Sequence, residues 1–268
     1  MIEDLARRIR DKSVVLFAGA GLSVSLGLPT WSQLTYEMAN QLGYDPEVLI
    51  RPSTSYLTMA EFYKLEMSSI GPLRSWMDRN WIVTEENLRS SRVFNQIVDL
   101  DFPFIYTTNY DRNIEEIHRL RGKKFSKITS VKDISRAASD ATHIVKFHGD
   151  FDDDKSIVLT ESDYYERLNF ESPLDIKFRS DTLGRSILFV GYSLSDINIR
   201  LLLYKMQQMW KNSGTIEHKP PIYMFMVRPD PVQERVLDSW GIRTIISDEQ
   251  SASDALPSLF DQLKELAT

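Results

Sequence analysis

SVVLFAGAGLSVSLGLP, residues 13–29, is the stretch that decides the fold. Ser13 to Ala18 is a compact β-branched and apolar run without alternation. A strand covered on one face shows a period of two, whereas an unbroken run of this length marks a strand covered on both, as in a parallel sheet. The run ends in Gly19-Ala20-Gly21, and a short helix follows near Ser23. Glycine permits turn geometry closed to other residues and lets a ligand approach the backbone. A helix after such a turn aims its free N–H groups at phosphate. Val24 stands where the ordinary dinucleotide fingerprint G-x-G-x-x-G has its third glycine. No phosphate-loop Lys-Ser/Thr pair follows, which argues against an ATP-type loop. A tight strand-to-helix turn with no ligand is the alternative. Gly27-Leu28-Pro29 then stops the helix, Pro29 restricting Leu28. Thr30 and Trp31 fall in a segment that folds over a nucleotide or simply connects onward.

Outward from this stretch, strand and helix patterns alternate. Residues 2–10 carry Ile2, Leu5, Ala6 and Ile9 at helical spacing. Strand-like runs recur at 102–107, 142–147, 156–159, 187–190, 222–227 and 243–246, with helical patterns at 110–118, 162–182, 195–212 and 231–240 and after residue 250. This predicts an α/β sheet with helices on both faces. Residues 31–100 read as helix after helix, with Ser32 as a cap of the first and Gly43 as its end. They are expected to form an inserted helical subdomain, leaving 1–30 and 101–268 as the sheet domain. Four strands end in polar or glycine motifs: GAG, TTNYD, KFHG and GYS. Ligands of open α/β sheets collect beyond the carboxyl ends of the strands, so these motifs are expected to meet in one crevice.

Bulk properties narrow the function. The 268 residues carry 38 acidic and 32 basic side chains, for a net charge of −6. So mild an acidity gives no drive toward nucleic acid or an anionic membrane. The absence of cysteine removes disulfides, thiolate chemistry and Cys-based zinc sites. The charged start and the lack of any apolar run near ~18–20 residues predict no secretory signal, no membrane span and a cytoplasmic location. No metal-ligand spacing occurs. Asp150 and Asp152 to Asp154 lack the calcium-loop pattern and read as a solvated acidic turn. G-x-S-x-G is absent, and Ser195 reads as the N-cap of the helix that follows, with Asp196 in its first turn.

Two strand ends carry candidate chemistry. Thr108 and Asn109 offer uncharged donors and acceptors, and Asp111 a carboxylate. Asn109 is suited to hold a water or a ribose hydroxyl, and Asp111 either joins it or caps the next helix. Of the four histidines, His118 reads as surface or capping, His143 as structural and His218 as exposed. His148 alone has the strand-end position of a catalytic base, with a helix-capping or structural role as the alternative.

Taken together, GAGLSVSLGLP (19–29), TTNYD (107–111), KFHG (146–149) and GYSLSD (191–196) resemble the Sir2-like domain, in particular the bacterial branch found in anti-phage defence. The resemblance implies a doubly wound, mostly parallel, Rossmann-like NAD-binding sheet and an NAD glycohydrolase that releases nicotinamide and ADP-ribose. It assigns Gly19, Ala20, Gly21 and Ser23 to the NAD diphosphate and ribose, and Pro29 and Trp31 to the nicotinamide pocket. Asn109 and Asp111 match the family's polar pair beside the nicotinamide ribose, and neighbouring Thr108 is expected to join them in binding the cofactor. By the same resemblance His148 is expected to act on the ribose hydroxyls, with Asn109 and His148 as the catalytic pair. Gly191, Ser193 and Asp196 match a segment that faces the adenosine side in that family. The family's usual four-cysteine zinc module cannot exist here, and Ser32 replaces the arginine expected after the aromatic of the proline segment. Hydrolysis of NAD therefore ranks ahead of protein deacylation, and ahead of an NAD- or ADP-ribose-sensing assembly subunit with little turnover. Also implied are a homo-oligomer, silent until a signal assembles it, and an ATPase/translocase or Argonaute-like partner protein.

Overall fold

All five residues of β1 (Val14–Ala18) are buried, as the unbroken apolar run requires. Val14, Leu16 and Ala18 enter one core while Val15 and Phe17 enter another, the two-residue period of a strand held between two layers. The computed structural model of the chain describes residues 1–192 and 196–267. The other strands are β2 (Phe104–Thr107), β3 (Phe125–Ile128), β4 (Thr142–Lys146), β5 (Ser186–Val190), β6 (Ile222–Met226) and β7 (Ile242–Ile246). They form one sheet in the order β3-β4-β2-β1-β5-β6-β7, with every neighbouring pair parallel. The chain moves outward from β1 to β2, then returns to place β5 on the other side of β1. That reversal opens a crevice at the carboxyl end of β1.

Helices α1 (Ile2–Arg10) and α2 (Gly21–Val24) flank β1 in sequence. Between β1 and β2 follow α3 (Trp31–Gln41), α4 (Pro46–Leu49), α5 (Tyr56–Met67), α6 (Gly71–Asn80), α7 (Glu85–Ser90) and α8 (Arg92–Leu100). Beyond β2 come α9 (Asn113–Leu120), α10 (Val131–Arg136), α11 (Glu161–Glu166), α12 (Pro173–Leu183), α13 (Ile197–Asn212), α14 (Pro231–Ser239) and α15 (Ala252–Ala267). One sheet face packs on α1, α8, α9 and α15, through residues such as Leu5, Phe94, Ile117 and Phe260. Phe178 of α12, Leu202 and Met206 of α13 and Leu237 of α14 cover the opposite face. A third core joins α3, α5 and α6 through Leu34, Met38, Met59, Tyr63, Leu73 and Met77. Tyr110, Ile157 and Leu159, from the loops after β2 and β4, complete it. No helix among the described residues is long and apolar enough to cross a membrane.

Several local expectations are corrected. Residues 156–159 form no strand: a 3-10 turn at Asp154–Ser156 leads into a loop that sends Ile157 and Leu159 into the helical core. Thr30, not Ser32, caps α3, in a reciprocal capping box with Gln33. Asp196 caps α13, its Oδ1 accepting from the N–H groups of Asn198 and Ile199. Ser195, expected to be that cap, lies outside the described residues. His118 is buried, with Nδ1 2.7 Å from the Ile114 carbonyl. Asp150 is buried rather than solvated and lies 3.2 Å from Lys127.

Candidate active site

The crevice at the carboxyl end of β1 is a cleft of about 1870 Å³. Ala20, Gly21, Ser23, Pro29, Trp31, Thr108, Asn109, Asp111, His148, Gly191 and Asp196 all line it. Gly19 lies beneath as a buried support, and Ser193 falls outside the described residues. The cleft runs on past Gly191 to residues 224–228 at the end of β6.

The glycines are explained by backbone packing. Neither Gly19 nor Gly21 sits at positive φ. A Cβ on Gly19 would stand 2.4 Å from the Gly191 carbonyl oxygen, and one on Gly21 2.9 Å from the Gly191 Cα. Gly191 itself has φ +60, and a Cβ there would stand 2.6 Å from the Leu22 nitrogen. The loops after β1 and β5 are therefore joined backbone to backbone, with Gly19 N–H donating to Val190 O and Gly21 N–H to Gly191 O. Leu22 and Ser23 N–H donate to the carbonyls of Gly19 and Ala20. Val24 N–H also donates to Ala20 O, so all four amides of α2 have carbonyl acceptors and the expectation that the helix aims free N–H groups at phosphate is not met.

The opposite bank is built from side chains. Thr107 ends β2, and its Oγ1 accepts from Asn109 N–H at 3.0 Å. Asn109 Nδ2 donates to the Gly19 carbonyl at 3.1 Å and to Ser23 Oγ at 3.2 Å. Its carboxamide is thereby tied to the glycine loop of the neighbouring strand. Ser23 Oγ donates in turn to Asp111 Oδ2 at 2.7 Å. Asp111 Oδ1 accepts from Asn113 N–H at 3.1 Å at the start of α9, so Asp111 serves helix and cleft together. Behind this loop, fully buried Lys146 donates to the Asp111 carbonyl and lies 3.4 Å from Glu115 and 4.0 Å from Asp150. Burial pushes the Glu115 carboxyl above the usual range, against the pull of Lys146.

His148 follows β4, the neighbour of β2, and is buried. Gly149, at φ +91, turns the chain so tightly that a Cβ there would meet Ser156 O at 2.2 Å. Val158 N–H then donates back to the His148 carbonyl. Burial lowers the imidazole pKa to about 4; Asp196 opposes the shift and Arg167 adds to it. His148 is therefore neutral at neutral pH. Its Nε2 lies 3.4 Å from Asp196 Oδ2, and its Nδ1 3.4 Å from the Tyr164 hydroxyl. Asp196, matched above to the adenosine side, thus stands beside the imidazole. Sequence reasoning passed over Tyr164 and Lys146. Tyr164 lies in a short helix sixteen residues beyond the histidine, and a lysine inside a strand motif reads as an edge residue until its burial is known. The rim is aromatic: Trp31 stacks on Tyr56 and Trp81 on Tyr110, each with centroids 6.3 Å apart. No group of three or more potential metal-ligating side chains occurs among the described residues.

The family model described as a SIR2-like domain matches residues 103–245, more than half of the chain, and the protein belongs to that family. The matched stretch includes Asn109, Asp111, His148 and Asp196. Among curated relatives, the chain is 28% identical over 256 residues to "Defense-associated sirtuin 2" of Bacillus subtilis, covering 91% of this chain and 24% of that protein. It is 30% identical over 230 residues to "NAD(+) hydrolase ThsA" of Enterococcus faecium, covering 84% of this chain and 45% of the relative. A ThsA of Bacillus cereus (strain MSX-D12) is 27% identical over 217 residues, 78% of this chain and 43% of its own length. The chain thus spans from just under a quarter to just under half of the length of these relatives.

Proposed function

We propose that the chain binds NAD along the cleft and hydrolyses its bond to nicotinamide. The observation that carries this reading is the convergence of Asn109 and His148, at the ends of adjacent strands, on one cleft that passes over the glycine loop. From β4 across β2, β1 and β5 to β6 there are four inter-strand steps, roughly 19 Å at about 4.8 Å each. That length suits an extended dinucleotide, with the nicotinamide ribose at Asn109 and His148 and the diphosphate over Ala20 to Ser23. Adenosine then lies toward Gly191 and β6.

In this reading the glycosidic C–N bond breaks and its electron pair goes to the departing nicotinamide, neutralising the ring. Positive charge builds on the ribose carbon. Water adds there and gives up a proton, leaving ADP-ribose, nicotinamide and a proton. Asn109, anchored through Nδ2, turns its carboxamide oxygen to the attacking water or a ribose hydroxyl. His148 stays neutral, so it accepts a proton or hydrogen bond without opposing the developing charge. Holding a weak nucleophile against the reacting carbon supplies much of the acceleration.

The relatives' names, which speak of defence and of NAD(+) hydrolysis, support a role as a defence effector. Action against phage, in the cytoplasm, as a homo-oligomer switched on by a partner or by assembly, completes the proposal on the resemblance alone. Incubating the protein with NAD, with and without an acylated peptide, separates the readings. Nicotinamide and ADP-ribose in equal amounts without peptide are expected. Cleavage that depends on the peptide indicates a deacylase, and nucleotide binding without products indicates a sensing subunit; either result overturns the proposal.

A further inference from the structure

The buried ring nitrogens of His148 face two groups on different elements. Nδ1 lies 3.4 Å from the hydroxyl of Tyr164 on α11, and Nε2 lies 3.4 Å from Oδ2 of Asp196 at the head of α13. The same hydroxyl lies 3.3 Å from that same Oδ2, closing a triangle. Tyr164 is itself buried and packs edge-on against the imidazole, with ring centroids 5.1 Å apart. Among the described residues Nε2 has no hydrogen-bond partner.

A phenol has one proton to give. Asp196 Oδ1 is taken up by the N–H groups of α13, and Oδ2 is the charged acceptor within reach of Tyr164. A charge-assisted bond to a carboxylate is the stronger choice for that proton. The competing arrangement puts the imidazole proton on Nε2 toward Oδ2, but Nε2 makes no hydrogen bond there whereas Nδ1 does to the phenol, so the phenol oxygen is left to accept and Nδ1 to donate. We infer that Tyr164 is a positioning residue that holds His148 as the tautomer protonated on Nδ1, which keeps Nε2 as an acceptor beside the Asp196 carboxylate. The inference rests on the cleavage reading above and adds to it the nitrogen that works. A proton arriving on Nε2 appears next to Oδ2, whose charge stabilises the imidazolium.

Tyr164→Phe tests this in the full chain, because it keeps the ring packing and removes only the hydroxyl. Imidazole 15N spectra of His148 report the tautomer whether or not the preparation turns over. The wild-type protein is expected to carry the proton on Nδ1. The variant is expected to move toward Nε2–H, the form a free histidine side chain prefers, since nothing then holds a proton on Nδ1 against the pull of Asp196 on Nε2. With NAD as substrate, kcat is expected to fall by ~10- to 100-fold, with KM and ADP-ribose affinity within about threefold. Asp196→Asn, which retains an oxygen to cap α13, should give the same split. An Nε2–H wild type, a variant tautomer that does not move, or a moved tautomer with unchanged kcat overturns the inference. If no form of the protein cleaves NAD, the cleavage reading fails, and the spectra alone decide what Tyr164 holds.

Discussion

The two banks of the cleft are built on opposite principles. On the β1–β5 bank, Gly19, Gly21 and Gly191 bring two backbones together so closely that no side chain fits between them. On the β2–β4 bank, the loops are held by polar side chains: Asn109 through Gly19 and Ser23, Asp111 through Ser23 and Asn113, and the whole turn through buried Lys146. The difference teaches where chemistry can reside. Backbone contact supplies a rigid floor of fixed shape, and side-chain contact supplies groups whose protonation and direction can be set. Asn109 joins the two, since its amide reaches across to the carbonyl of Gly19.

The sharpest way to break the side-chain bank is Lys146→Met. Glu115 loses its nearest cation, and Asp150 keeps Lys127 among the described residues. Leaving the buried Glu115 carboxyl without its cation costs about 3–5 kcal/mol. A denaturant titration should show that loss, with a fall in Tm of roughly 10 °C. A loss under 1 kcal/mol would mean that the buried charges do not hold the turn.

Acid should distinguish the banks next. The His148 pKa is about 4 when folded, against 6.5 ordinarily. Between those values the unfolded chain takes up a proton that the folded chain does not, so stability falls as pH drops from about 6.5 to 4. The contribution reaches about 3 kcal/mol at pH 4. Folding free energies of wild type and His148→Gln across this range check it: the variant should lose less stability by that amount, and parallel curves would refute the burial argument.

The backbone bank gives the smallest contrast. Gly19→Ala places a Cβ on the Gly191 carbonyl, whereas Gly27, at φ +82, has nothing within 4 Å. Gly27→Ala pays only for its backbone conformation, about 1 kcal/mol. Gly19→Ala should cost about 2 kcal/mol more than that. Equal effects in chemical denaturation would show that the two loops can part without strain.

Legibility in the sequence followed the same division. β1 was readable because burial on both faces leaves an unbroken apolar run, and the α/β alternation followed from it. β3 was not, because Phe125–Ile128 is an edge strand with a serine and a lysine in its middle. Ile157 and Leu159 imitated a strand because a loop that packs on a helical core also alternates. The Thr30–Gln33 capping box was present as a T-x-x-Q signal and was passed over for Ser32. In the site, the strand ends pointed to Asn109 and His148, but the reason for the glycines did not follow, because Gly191 lies 170 residues beyond Gly21. Asp150 looked solvated in an acidic run, since the lysines that bury it come from β3 and β4. Partners distant in the chain are what a local pattern cannot carry.

Joint action of the amide and the imidazole on one dinucleotide is tested most directly by nicotinamide release in the Asn109→Ala and His148→Ala proteins, with ADP-ribose binding measured alongside. Each substitution should lower release at least about 100-fold while ADP-ribose still binds. Release at the wild-type rate by either protein would contradict the assignment of the cleft.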